Sequence, residues 1–177
     1  MTLARRNINV RLSGRGPLTI HPSDHVATGG EGEIFRASNT VIKIYSNPKK
    51  MINDGMVEKI EILSLIKHKL IVSPKGLVLD DNGRPIGYYM DYIDGEPFPR
   101  VFTNDFRQRE CFGDQKASVL VERMREAVWF AHGQKAILAD ANELNWLMIM
   151  SANIPEPRII DVDSWQIGRW PAKVIMP

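Results

Sequence analysis

Three glycines cluster early in the chain, at Gly29, Gly30 and Gly32. Glycine lets the backbone approach a ligand closely, and its N–H groups can point at phosphate oxygens. The cluster lacks the Lys-Ser/Thr ending of a P-loop. Residues 33–36 are typical of a strand, whereas a dinucleotide fingerprint needs a helix there. The segment therefore predicts a glycine turn between two strands, which is either a phosphate-binding flap or an ordinary hairpin turn.

A lysine follows on the next predicted strand. Side-chain alternation places Val41, Lys43 and Tyr45 on the same face of this strand. Because Lys43 comes one strand after the glycine turn, we expect its ammonium to hold a phosphate. The alternative is a solvent-facing lysine on an edge strand. A carboxylate must orient a phosphate-binding lysine, and Glu58 or Glu61 on the following predicted helix can do so.

Two acidic centres occur in the second half of the chain. Asp140 and Asn145 lie five residues apart on a predicted loop, and Asp161 directly follows an apolar strand-like run. An aspartate at a strand end can simply cap a turn. Carboxylate and amide oxygens are also hard ligands, which Mg²⁺ prefers while it keeps its phosphate partners. The pattern predicts Asn145 and Asp161 as metal ligands and Asp140 as the group that orients or deprotonates an attacking hydroxyl.

Strand signals dominate the segment that must position Lys43. Asn82-Gly83 between two apolar runs predicts a hairpin, because both residues tolerate positive φ. One helix is expected to begin near Asp54 and to run over 57–69. The expected strands cover 9–12, 33–36, 40–45, 76–79 and 86–90.

The second half has a different pattern. An apolar stripe predicts a helix over 115–132, with Asp114 as a cap and Gly133 as the stop. Short strand-like pieces follow at 146–150 and 158–160. We therefore expect an α+β protein with a β-rich lobe over 1–93 and a mostly helical portion over 94–177.

Composition sets limits on the function. The chain has 177 residues, of which 44% are apolar and 25% charged. A net charge of +2 argues against dedicated nucleic-acid binding. The single cysteine excludes a disulfide within the chain. No secretory signal is visible, and the longest apolar stretch is far shorter than the ~20 residues that span a bilayer. We expect a cytoplasmic protein without membrane partners.

Taken in order, these segments resemble the protein kinase family. The similar segments are the glycine-rich loop at 29–34, the lysine strand at 40–43, the N-lobe helix at 58–63, the hinge at 90–93, the catalytic loop at 137–145 and the metal-binding segment at 160–165. The resemblance implies a protein kinase-like fold, with an antiparallel N-lobe sheet, one main N-lobe helix and a partial, mostly helical C-lobe. It also implies ATP and Mg²⁺ as cofactors.

The resemblance assigns roles to individual residues. ATP contacts are implied for Gly29, Gly30, Gly32, Ile34, Lys43, Met90, Asp91 and Ile93. Lys43, Glu58 and Asp140 are the implied catalytic residues, and Asn145 and Asp161 the implied metal ligands.

Several residues depart from the kinase pattern. Leu138 and Ala139 stand where the family has His and Arg, and Asn142 replaces a lysine that contacts the transferred phosphate. These departures imply weakened turnover and no switch through a phosphorylated activation loop. Only sixteen residues follow Asp161. We therefore expect a fragment of a longer protein, whose exposed C-lobe surface favours self-association.

Three functions remain open at this point. The first is transfer of the ATP γ-phosphate to a Ser/Thr hydroxyl of a protein substrate. The second is a pseudokinase-type module that binds nucleotide for a regulatory partner and transfers nothing. The third is a phosphotransferase acting on small molecules.

Overall fold

The chain forms two compact units. The computed structural model describes residues 6–172. The first unit extends to Leu65 and includes Pro74–Tyr92, whereas the second contains Ile66–Ser73 and the chain from Ile93 onward.

A seven-stranded antiparallel sheet forms most of the first unit. Its strands are β1 (Ile8–Leu12), β2 (Gly16–Ile20), β3 (His25–Thr28), β4 (Gly32–Ala37), β5 (Thr40–Tyr45), β6 (Gly76–Leu79) and β7 (Pro85–Asp91). Their spatial order is β2-β1-β6-β7-β5-β4-β3, and every neighbouring pair is antiparallel. The hairpin predicted at Asn82-Gly83 is confirmed: it joins β6 to β7, and Gly83 has φ +75°.

Alternation along β5 separates two clusters of buried side chains. Ile42 and Ile44 belong to an aliphatic core that also contains Phe35. Tyr45 belongs to a second cluster with Ile60. The two clusters confirm the predicted alternation, because odd- and even-numbered side chains of one strand point to opposite faces of a sheet.

Two short helices follow β5, namely α1 (Pro48–Asn53) and α2 (Met56–Leu63). Gly55, at φ +71°, separates them. The prediction of one helix continuing over 57–69 is wrong beyond Leu63. The chain beyond this point pairs with the second unit instead, since Val72 N–H donates to Ile159 O at 2.9 Å.

The second unit combines two small sheets with helices. The helices are α3 (Phe98–Val101), α4 (Asn104–Arg109) and α5 (Asp114–Gly133). Strands β8 (Glu96–Pro97), β10 (Trp146–Ser151) and β11 (Ile154–Ile159) form one sheet, and β9 (Ala136–Ile137) pairs with β12 (Gln166–Ile167). The predicted helix over 115–132 is confirmed as α5, which packs against β11.

The predicted fold class, an α+β kinase-like fold with a mostly helical C-lobe, is wrong. Over residues 6–172 the protein is mostly antiparallel β, with five helices of which only α5 exceeds eight residues. The sequence pieces at 146–150 and 158–160 are halves of one long hairpin. Its turn, Ala152-Asn153, has positive φ at both residues, which favours tight hairpins, but alanine there gives no sequence signal for it.

Candidate functional site

The glycine turn, residues Gly29, Gly30 and Glu31, joins β3 to β4 in the first unit. Gly29 N–H donates to Gly32 O at 2.8 Å and closes the turn. Ser46 N–H donates to Glu31 O at 2.9 Å and ties the turn to the end of β5. The turn is therefore held beside the strand that carries Lys43.

Glycine is present at Gly32 and at Gly30 for different reasons. A Cβ on Gly32 would lie 2.2 Å from Ile44 O, so the close approach of β5 requires glycine there. A Cβ on Gly30 would meet no atom within 4 Å, and its φ lies outside the left-handed region. Packing and backbone strain therefore do not account for glycine at this position. Close approach of a ligand to the backbone would account for it.

Lys43 lies on β5, opposite Ile34 on β4 and Tyr88 on β7. Its side chain is only 7% exposed, and Nζ lies 3.5 Å from Oε2 of Glu31, whose side chain is 46% exposed. Burying an ammonium is costly unless an anion compensates it. Glu31 supplies a carboxylate from the glycine turn itself.

Neither predicted carboxylate on α2 forms an ion pair with Lys43. Glu58 and Glu61 are both exposed, and neither lies within 4.0 Å of the lysine. The charged side chain that α2 buries is Lys59. The structure thus brings Lys43 together with Glu31, which the sequence analysis missed. The register alone gives no signal for this pair, because it places Ile34 opposite Lys43 and Glu31 lies in the turn before β4.

The predicted hinge residues lie at the end of β7. Met90 pairs with Val41, and Asp91 with Thr40, in the β5–β7 ladder. The Asp91 carboxylate is 2.8 Å from Lys75 Nζ, so its charge is compensated locally. Ile93 is the residue at which the chain enters the second unit.

Asp140 lies in the acidic loop of the second unit, defined here as residues 140–145. Asn142 Nδ2 donates to Asp140 Oδ1 at 2.7 Å, and Asn145 Nδ2 is 3.3 Å from Oδ2. Asn142 Oδ1 also accepts from Leu144 N–H at 2.8 Å and caps a short 3₁₀ turn. Two amides therefore fix the orientation of the Asp140 carboxylate, and the part that Asn142 plays was also missed.

Backbone pairing brings Asp161 close to Asn145. Ile160 N–H donates to Asn145 O at 2.9 Å, which places the residue before Asp161 beside the acidic loop. Asp161 has left-handed backbone angles, φ +57° and ψ +40°. Its carbonyl accepts hydrogen bonds from both the N–H and the hydroxyl of Ser164. A non-glycine residue in this region is uncommon and is found at turns and at functional sites.

The donor set around Asn145 fits Mg²⁺ chemically. Asn145 Nδ2 donates to Asp140 O at 2.9 Å, so the amide nitrogen is engaged and the amide oxygen is the group left for a metal. Asp161 adds a carboxylate, and both are hard oxygen donors of the kind Mg²⁺ prefers. Within residues 6–172, no three His, Cys, Asp or Glu side chains form a group that could hold a metal. A magnesium ion here would therefore need phosphate or water oxygens for its remaining positions.

A separate cavity of about 680 Å³ lies in the first unit, away from the glycine turn. Residues of β1, β2 and the β6–β7 turn line it, among them Asn9, Arg11, Thr19 and Asp81. None of the predicted site residues contributes to its walls.

No protein-family model matches this chain, and no curated protein is significantly similar to it. Among the helices formed by residues 6–172, none has the length and apolar character needed to cross a membrane.

Proposed function

We propose that this protein binds ATP with Mg²⁺ and transfers the γ-phosphate to a Ser/Thr hydroxyl of a protein. The observation that carries the proposal is the buried Lys43 ammonium beside the glycine turn, with Glu31 as its carboxylate partner. A lysine in this position is a compact point charge suited to phosphate oxygens. A cytoplasmic location, which the single cysteine favours, belongs to the same proposal.

Phosphate binding in the first unit would use two kinds of group. The backbone at Gly30 would face phosphate oxygens, because no atom lies within 4 Å of the place a Cβ would take there, whereas the Gly29 N–H already donates to Gly32 O. Lys43 would contribute the positive charge, and the bound phosphate would replace the Glu31 carboxylate as its counter-ion.

The second unit would supply the metal ligands and the base. Asn145 and Asp161 would hold Mg²⁺, which neutralises charge on the transferred phosphoryl group. Asp140 would accept the proton of the attacking hydroxyl. The amide hydrogen bonds from Asn142 and Asn145 support this role, because they hold the carboxylate in one orientation.

A nucleotide-binding module without transfer activity is the second candidate. It is favoured by Asn142, whose amide nitrogen donates to Asp140 Oδ1 at 2.7 Å and is thereby engaged away from a phosphate. Asn142, which the kinase resemblance places where a phosphate-contacting lysine is usual, carries no charge. In this alternative Lys43 and the glycine turn keep their role and Asp140 is structural.

Two measurements test the proposal. Isothermal titration with MgATP should show binding by the parent and by the exposed control variant Lys50→Ala, and at least tenfold weaker binding by Lys43→Met, because one charged hydrogen bond contributes about 1.5–3 kcal/mol. Equal affinity of Lys43→Met and parent would refute the assignment of Lys43. Transfer of labelled γ-phosphate to a protein mixture should be lost in Asp140→Asn. ATP binding by the parent without any transfer would favour the second candidate.

A further inference from the structure

Three cations lie around one carboxylate in the second unit. On β11, Glu156 accepts from Nη1 of Arg123 at 2.7 Å through Oε1 and from Nη2 of Arg158 at 2.8 Å through Oε2. Nζ of Lys69, in the segment Ile66–Ser73, lies 4.0 Å from Oε1. We call these four residues the Glu156 cluster. Three cations and one carboxylate leave an excess of two positive charges.

The two guanidiniums of the cluster are partly buried. The Arg158 and Arg123 side chains are only 14% and 23% exposed, and that of Glu156 is 18% exposed. Removing a cation from water is costly unless an anion compensates it. Among residues 6–172, no carboxylate other than Glu156 lies within 4.0 Å of either guanidinium. One carboxylate therefore has to compensate both.

Most N–H groups of the two guanidiniums are not used by the protein. A guanidinium has five N–H donors. Within residues 6–172, Arg123 donates only to Glu156, and Arg158 donates to Glu156 and, at 3.1 Å, to Pro157 O. No fully buried side-chain nitrogen in this part of the chain lacks a partner, so each guanidinium nitrogen without one reaches solvent. A ligand with several acceptor oxygens can therefore reach these donors.

The other charges on the elements that form the cluster do not cancel its positive excess. On α5, Glu122 pairs with Arg125 at 2.6 Å, and Glu126 lies 3.4 Å from Nε2 of His68. Strand β10, which pairs with β11, has no charged residue. The remaining charged residues of α5, β11 and the segment Ile66–Ser73 are one acid at the first residue of α5 and two lysines, namely Asp114, Lys67 and Lys116.

We infer that the Glu156 cluster binds a phosphate group, with Arg123 and Arg158 as hydrogen-bond donors and Lys69 as a further cation. A phosphate monoester has close to two negative charges at neutral pH and three strong acceptor oxygens, which match the charge excess and the unused donors. The planar fork of arginine binds phosphate through two parallel hydrogen bonds. Glu156 is then a positioning residue that holds the two guanidiniums together. The inference uses no residue of the proposed ATP site and does not depend on the proposed function.

Thermal unfolding with inorganic phosphate as the probe tests the site. Phosphate should raise the melting temperature of the parent more than potassium chloride of the same ionic strength, because it binds the folded state. Lys69→Ala should need several-fold more phosphate for the same rise, and Lys69→Glu more still. Lys50→Ala and Lys50→Glu are the matched controls and should respond as the parent does, because Lys50 is also an exposed lysine in contact with one carboxylate.

Both Lys69 variants should fold, because this side chain is 58% exposed and makes one long ion pair. Arg158→Lys is a second, independent variant, which keeps the positive charge and removes the planar fork. It should weaken phosphate binding by roughly tenfold, as expected for loss of one charge-assisted hydrogen bond. A phosphate response that Lys69→Glu and Arg158→Lys both leave unchanged would overturn the inference.

A phosphopeptide distinguishes a phosphorylated protein from free phosphate as the source of the group. The probe is a short fluorescein-labelled peptide with one phosphoserine between glycines and alanines, and the measurement is fluorescence anisotropy. Binding that needs the phosphoryl group and is weakened by Lys69→Glu supports the site with a phosphorylated segment as its ligand. A phosphate response without peptide binding supports the site with free phosphate. Equal binding of the phosphorylated and unphosphorylated peptides, without any specific phosphate response, would refute it.

Titration with MgATP separates the cluster from the proposed ATP site. Lys69→Glu should bind MgATP as the parent does while its response to phosphate is weakened. If Lys43→Met loses the phosphate response and Lys69→Glu keeps it, phosphate binds at Lys43 and the inference about the Glu156 cluster is wrong.

Discussion

Replacing Glu31 by glutamine should tighten MgATP binding while lowering the stability of the nucleotide-free protein. In the structure, Glu31 compensates the buried Lys43 ammonium across 3.5 Å. A phosphate group that bound Lys43 as proposed would compete with this carboxylate for the ammonium and would lie near its negative charge. Glutamine has nearly the same shape and removes only the charge.

The magnitude follows from the distance and the exposure. Two unit charges 3.5 Å apart interact by about 1 kcal/mol in water and about 5 kcal/mol at an effective dielectric of about 20. The Glu31 side chain is 46% exposed, so water screens it and the lower figure applies. We expect MgATP affinity to rise about fivefold, which corresponds to about 1 kcal/mol.

Stability should change in the opposite direction. Without its carboxylate, Lys43 stays buried with less compensation, so the melting temperature of the nucleotide-free variant should fall. MgATP should then raise the melting temperature by more than it does in the parent, because the ligand restores the missing negative charge.

Isothermal titration and thermal unfolding, each with and without MgATP, provide the assay. Glu122→Gln is the control, because it removes one charge from an exposed ion pair with Arg125 on α5 and should leave ATP affinity unchanged. If Glu31→Gln weakens MgATP binding as much as Lys43→Met does, Glu31 is part of the ATP-binding set. The view that it is a displaceable counter-ion would then be wrong.

The remaining predictions concern the glycine turn and a charged cluster of the second unit. Gly30→Ala should leave the melting temperature unchanged and weaken MgATP binding, whereas Gly32→Ala should destabilise the fold by roughly 1–3 kcal/mol, because its Cβ would meet Ile44 O at 2.2 Å. Parent-like ATP affinity in Gly30→Ala, measured by titration, would remove the ligand-based reason for that glycine. The hydrogen bond from Arg158, followed by that from Arg123, lowers the pKa of Glu156 below its ordinary value of 4.5. Its ionised form therefore stabilises the folded state above about pH 4.5, and this contribution is lost as the pH falls through the lowered pKa. Acid unfolding curves should be flatter for Glu156→Gln, and curves that coincide with the parent would contradict this.

The local sequence correctly predicted helix α5 and the β6–β7 hairpin. The β6–β7 hairpin forms at Asn82-Gly83, where Gly83 adopts the positive φ that glycine favours. Helix α5 ends at Gly133 as predicted, but Gly133 itself has no positive φ, and the left-handed residue beyond the helix is Lys135.

Predictions from local sequence were wrong or incomplete where contacts with distant parts of the chain determine the structure. The apolar periodicity over 57–69 continues past Leu63, but Val72, a little further along, bonds to Ile159, 87 positions away. The β10–β11 hairpin has Ala152 at positive φ, a residue that local preferences do not place there. The acidic loop shows the same limit, because the proximity of Asp161 to Asn145 arises from the Ile160 hydrogen bond and not from spacing.

Glycine occupies positions on both strands that flank β5 where β5 carries Lys43 and Ile44. A Cβ on Gly87 would lie 1.9 Å from Lys43 O, and one on Gly32 would lie 2.2 Å from Ile44 O. Both neighbouring strands thus carry glycine where β5 passes, although glycine weakens strands. Both contacts are with carbonyl oxygens of β5, so the close approach of the neighbouring strands accounts for these glycines whatever the Lys43 ammonium does. The proposed role of the ammonium is therefore tested by Lys43→Met and Glu31→Gln, which change charge, and not by the glycines beside it.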